Sequence, residues 1–192
     1  MTDQWHPLMK ALHWLMAVLL IAMLAFGFAM SRLAHTAVET GDYSATILGF
    51  SLFDAYQLHK SFGVLLFGLV LARLVVRLLT QPAQHKELTS FEAIASHLVH
   101  IALYVLMFSL PLSGWMLASS SNLGLPTIIF GIFHLPHPIS PNASAEWIFG
   151  WTHFQGGCAL AALAFLHVLA ALKHHFVNQD SILRSMLPTR RK

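Results

Sequence analysis

Residues 147–172 carry no Asp, Glu, Lys or Arg, and an uncharged run of that length is enough to cross a bilayer as a helix. In hydrocarbon every backbone N–H and C=O must be satisfied internally, which only helices and closed barrels achieve. The run nevertheless contains His153 and His167. An ionisable side chain at membrane depth is costly and points to a function. The two histidines are fourteen residues apart, about 3.9 helical turns and about 21 Å of rise. They therefore share one face and lie near opposite membrane surfaces. Between them that face carries Gly156, Gly157, Leu160 and Ala164, which leaves room beside the backbone for something flat and bulky.

Three further apolar runs accompany this one, giving predicted spans at about residues 10–31, 57–79, 93–119 and 147–176. Only 10% of the residues are charged and 56% are hydrophobic, values outside the soluble range. The expected fold class is all-α, an integral membrane four-helix bundle forming a single domain over residues 1–192. The first run is too long for the apolar core of a leader and reads as a retained helix. Residues 120–146 are expected to be an outer loop, as are residues 32–56 with their apolar patch at 47–53. Pro111 is expected to kink the third helix, and the single Cys158 reads as a small packing residue.

Charge is sorted by side. With the N-terminus inside, the inner segments hold Lys10, Arg73, Arg77, Lys86, Lys173, Arg184, Arg190, Arg191 and Lys192, and the outer segments hold Arg32 and Lys60. Nine against two predicts both termini in the cytoplasm. The basic C-terminus thus reads as topology and contact with anionic lipid, and nucleic acid is not an expected partner.

Depth then sorts the histidines. His59 opens the second helix at the outer level, as His153 does the fourth, and Gly63 follows His59 on its face. His13 lies about one turn inside the inner end of the first helix, the level of His167. Two pairs at two depths, sharing the fourth helix, are what two bis-histidine haems require, and an iron with both axial positions filled favours electron transfer. One haem could not bridge about 30 Å of hydrocarbon. Arg73, fourteen residues after His59, should point into the bundle at the inner level and suits a haem propionate, whereas Arg77 reads as snorkelling to the surface. His97 and His100 are candidates for a propionate or quinone contact or for a polar lining, and Lys60 for an outer propionate or an interface marker. His174 and His175 read as interfacial, and His35, His134 and His137 as outer-loop residues.

The chain resembles the bacterial cytochrome b561 family of four-helix di-haem membrane cytochromes. The resemblance rests on ALHWL at residues 11–15, LHKSFG at 58–63, LARLVVRL in the second helix, SHLVHIALY in the third, and LKHHFVNQDSILRSMLP after the fourth. It runs in order along essentially the whole chain. It implies axial ligation by His13, His59, His153 and His167, paired His13 with His167 and His59 with His153, and two haem b groups. It also implies an inner-membrane carrier exchanging electrons with ubiquinone, and in some members superoxide:ubiquinone oxidoreductase activity.

The expected function is therefore electron transfer between a periplasmic donor, superoxide among the candidates, and the quinone pool, with a second copy of the chain as a candidate partner. The outer segments hold Glu39, Asp42, Asp54 and Glu146 against Arg32 and Lys60. An anionic donor would be steered by the opposite balance, so the donor stays open. One alternative is a cytochrome b anchor for a periplasmic dehydrogenase or hydrogenase. A more distant one is a histidine-based metal-ion transporter, which would need its ligands at one depth.

Overall fold

A computed structural model describes residues 4–81 and 88–188. Lys86, the loop opened by Pro82, and Arg190, Arg191 and Lys192 lie outside the described residues. Four long helices dominate: α1 Pro7–Thr40, α2 Leu52–Leu79, α3 Ser90–Ser120 and α4 Ala143–Lys173. All four are long and apolar enough to cross a membrane, the last continuing to Asn178. The all-α, four-helix reading thus describes the molecule, but the helices outrun the apolar runs that predicted them.

The extra turns have local causes. Pro7 occupies the first turn of α1, and the His6 side chain accepts from the Leu8 N–H. At its far end α1 passes Arg32, where hydrophobicity stops, and continues to Thr40 before Gly41 adopts a left-handed φ of 71°. The residues between, RLAHTAVET, contain no helix breaker, and His35 pairs with Glu39 at 3.2 Å one turn on. The outer loop expected over residues 32–56 therefore shrinks to 41–51. Its apolar patch folds into a tight turn, with Ile47 bridged to Phe50. Ser51 then caps α2, accepting from the Asp54 N–H. Thr89 and Glu92 form a reciprocal capping box on α3, the pattern that satisfies two orphan donors at once. Membrane position depends on the apolar stretch, whereas helix ends depend on such caps, so the two boundaries need not coincide.

The loop expected over residues 120–146 is also partly ordered. It contains a two-stranded antiparallel hairpin, β1 Thr127–Ile129 and β2 Phe133–Leu135, turned through Phe130 and Gly131 at positive φ. Asn142 caps α4 through its bond from the Ala145 N–H. Beyond Lys173 the helix widens into a π-turn, His174–Asn178, followed by a short α5, Ile182–Met186.

Helix α1 packs along α2, α2 against α3, and α3 along α4. Neither α1 nor α2 packs its backbone closely along α4. A buried layer of Met16, Leu66, Val70, Leu103, Met107 and Leu160 fills the middle of the bundle, while Val18, Ile21, Val75, Leu98 and Phe165 are among the large apolar side chains facing outward. The two ends of the chain meet. Lys10 Nζ donates to Leu187 O at 3.0 Å and to Gln4 Oε1 at 2.6 Å. Trp14 Nε1 donates to Met186 O at 2.9 Å. Both ends therefore lie on one side of the bundle.

Candidate haem-binding site

The gap between α4 and the α1–α2 pair is crossed at two levels by imidazoles. His59 of α2 faces His153 of α4 with ring centroids 6.2 Å apart and an interplanar angle of 83°. His13 of α1 faces His167 of α4, also at 6.2 Å, with an angle of 78°. Among the described residues no hydrogen bond joins the two rings of either pair. An imidazole nitrogen sits about 2.0–2.1 Å from a first-row metal. With about another 1.1 Å from nitrogen to ring centre, two imidazoles on opposite sides of one metal have centroids about 6 Å apart. Both spacings fit one metal atom between the rings. Among the described residues, no three His, Cys, Asp or Glu side chains converge to hold a metal ion.

The outer pair is held by its neighbours. A Cβ added at Gly27 of α1 would stand 3.0 Å from Cε1 of His59, and one added at Gly114 of α3 would stand 2.9 Å from Cε1 of His153. Each ring thus rests in a notch left by a missing side chain. His153 Nδ1 lies 3.1 Å from Leu110 O and 3.1 Å from Ser113 Oγ. A carbonyl only accepts, so the proton sits on Nδ1 and the Nε2 lone pair is free, the arrangement typical of ligating histidines. Helix α3 runs on through Pro111, the expected kink site, and these side-chain bonds gather beside that proline. Gly27, Gly114 and Ser113 were not singled out from the sequence. Of the glycines that were, Gly157 has open space around it and Gly63 only Met23 at 4.0 Å, whereas Gly156 is packed tightly on Leu110.

At the inner level the His100 ring lies 5.2 Å from that of His167 at 80°, and His100 Nδ1 is fixed by Ser96 O at 2.6 Å. His97, its companion in the sequence, is exposed and belongs to the outside of the bundle. Arg73 points inward, 7% exposed, with its guanidinium 5.6 Å from the Tyr104 ring. Arg77 is half-buried. Lys60 turns to the outer hairpin, donating to Pro126 O at 3.0 Å and Thr127 Oγ1 at 3.3 Å. Gln57 and Ser61 join it there, Gln57 through Pro126 O and the Ile128 N–H, Ser61 by accepting from the Phe130 N–H at 2.9 Å. The hairpin is thus fastened directly above the outer pair. His134 and His137 are exposed on or after it, with His137 Nε2 3.1 Å from Thr127 Oγ1.

The family described as prokaryotic cytochrome b561 matches residues 4–189. Cytochrome b561 homolog 2 of Escherichia coli (strain K12) is 30% identical over 189 residues, 96% of this chain and 92% of the relative. Cytochrome b561 homolog 1 of the same organism is 25% identical over 70% of this chain and 76% of its own. A probable superoxide oxidase CybB of Yersinia pestis is 29% identical over 70% of this chain and 76% of its own. With the family matched along nearly its whole length, the chain belongs to the prokaryotic cytochrome b561 family and is a multi-pass membrane electron carrier built around b-type haem.

Proposed function

We propose that the protein holds two b-type haems, one between His13 and His167 and one between His59 and His153, and carries electrons across the inner membrane between an outer donor and ubiquinone. The observation that carries this reading is the repeated 6.2 Å spacing of two imidazole pairs, both drawn from α4 on one side. Each haem would be held by one such imidazole pair and would supply one-electron chemistry suited to transfer. The chain's own contribution is placement. Helix α4 presents both distal imidazoles about 21 Å apart along its axis. Gly27 and Gly114 set the outer rings, and the Leu110 carbonyl fixes the tautomer of His153. Leu160, seven residues from each α4 histidine, belongs to the buried apolar layer that keeps water from the space between the sites.

With the basic residues sorted as they are, we place the joined chain ends and the inner pair at the cytoplasmic side, and the hairpin with the outer pair at the periplasmic side. For the donor, the relative named as a probable superoxide oxidase makes superoxide the first candidate. The described outer acids hydrogen-bond locally, Glu39 with His35, Asp42 with Ser44, Asp54 with Ser51 and Glu146 with Asn122. Bonds from hydroxyl, amide and backbone N–H groups leave the carboxylate charge in place, so the outer balance does not steer an anion inward.

The test is haem stoichiometry with a reduced-minus-oxidised spectrum. Two b-type haems per chain are expected. His153→Ala should remove one spectral component and His167→Ala the other. A single haem per chain, or loss of the same component in both variants, would overturn the pairing. Reduction of haem in membrane vesicles by superoxide and by quinol, each presented from a defined side, then decides donor and acceptor.

A further inference from the structure

Arg73 is the anomaly of the inner level. It is 7% exposed, its Nε has no hydrogen-bond partner, and Tyr104 Oη beside it has none either. Among the described residues no salt bridge includes Arg73. The charged or titratable groups around it are His13 from α1, Arg77 from its own helix, His100 and Tyr104 from α3, and His167 from α4. None of them is a carboxylate. A buried charge left without a counter-charge is strongly destabilising, and an intramembrane arginine normally pairs. A neutral carbonyl could accept a hydrogen bond but would leave the charge uncompensated. The missing partner is therefore an anion, and the planar guanidinium fork matches a carboxylate.

Building on the two-haem reading, we propose that Arg73 and Tyr104 form a two-point seat for a propionate carboxylate of the inner haem. Arg73 supplies charge and a paired donor, and Tyr104 adds its hydroxyl while its ring holds the guanidinium in place. The seat fixes the rotation of the macrocycle between His13 and His167. Lys60, the residue read for such a role at the outer level, is committed to the hairpin, so the two levels are held differently.

The test is a redox titration of purified, haem-loaded, quinone-free protein, read by optical spectra and by infrared difference spectra with carbon-13 in the propionate carboxyls. Oxidised haem carries one more positive charge than reduced haem, so loss of a nearby cation favours the oxidised form. Arg73→Gln should lower the midpoint of the inner component and leave the outer one in place. Arg73→Lys should restore most of the midpoint but not the labelled carboxylate band. Tyr104→Phe keeps the ring and the fold; it should shift the same band and lower the same midpoint by less. An unchanged inner midpoint and band in both Arg73→Gln and Tyr104→Phe would overturn the proposal, as would a shift that arises only after quinone is added. A wild-type protein with a single haem component would overturn the two-site reading itself, and the proposal with it.

Discussion

The Nδ1 of His153 lies 3.1 Å from the carbonyl oxygen of Leu110, in the helix that flanks α4. That contact decides which ring nitrogen faces His59 and couples the orientation of a candidate ligand to the backbone beside Pro111. Ser113 completes it, with its hydroxyl 2.8 Å from the same carbonyl and 3.1 Å from the same nitrogen. Removing an outer partner of a ligating histidine typically weakens metal binding 10–100-fold. In Ser113→Ala the backbone carbonyl remains, so a loss of about tenfold in outer-haem retention is expected, at the low end of that range. Haem loss to an apo-acceptor protein, followed by component, measures it. Faster loss from the inner site would contradict the assignment.

Glycines 27 and 114 give a second prediction. An added Cβ would stand 3.0 and 2.9 Å from the two outer rings, respectively. The ring of His153 is tied to Leu110 and Ser113 and has little freedom to withdraw. Overpacking of this kind costs about 1–3 kcal/mol, so Gly114→Ala should lower the melting temperature and broaden or shift the outer haem spectrum. Gly27→Ala should do the same through His59. Gly68 of α2 has nothing within 4 Å of its added Cβ, so Gly68→Ala is expected to be neutral or stabilising by up to about 1 kcal/mol. Equal effects at all three glycines would show that helix packing, and not the imidazole notches, explains the loss.

These glycines also mark what the sequence makes legible. Fourteen residues separate His59 from Arg73 and His153 from His167. The same interval separates His13 from Gly27 and His100 from Gly114. Each long helix therefore offers one group to the outer level and one to the inner, and the midpoints Leu20, Leu66, Met107 and Leu160 belong to the central apolar layer or pack on it. The interval is visible in the letters, but a glycine's role as a notch is not, because it depends on the ring of a different helix. The separation of His97 from His100 was equally out of reach, since three residues on a helix leave both near one face. The four spans and the pairing by depth follow from hydropathy and periodicity. The hairpin, the long end of α1 and the π-turn do not, because caps and tertiary hydrogen bonds decide them.

The hairpin over the outer pair depends on Ser61. Its hydroxyl donates to Gln57 O at 2.8 Å and accepts from the Phe130 N–H at 2.9 Å, and Ser61 is 1% exposed. Ser61→Ala leaves that backbone N–H without its partner, a cost of about 1–3 kcal/mol. The loss falls on a small element held by few bonds, so local opening should increase before global unfolding does. Amide exchange over residues 127–135 is expected to quicken while exchange in the middle of α4 stays unchanged. Uniform acceleration along the chain would mean that the serine supports the whole bundle.

Lys10 and Trp14 tie the start of α1 to the end of α5 and the residue that follows it, and the lysine bond joins residues 177 apart in sequence. In a membrane the apolar effect that holds soluble helices together is absent, so close packing and hydrogen bonds between segments carry the association. Lys10 is 5% exposed, its charge facing Gln4 and the Leu187 carbonyl. Trp14→Phe removes one bond, worth about 0.5–1.5 kcal/mol, and is expected to speed proteolysis after residue 180 without altering either haem component. Lys10→Met removes both lysine bonds and should expose the same segment further. His13 sits between these two anchors, so a larger rearrangement would reach the inner pair. If Lys10→Met disturbs the inner haem spectrum and leaves the outer one intact, the latch also positions α1. If neither variant changes protease sensitivity, the C-terminal segment is held by contacts other than the Lys10–Leu187 and Trp14–Met186 bonds.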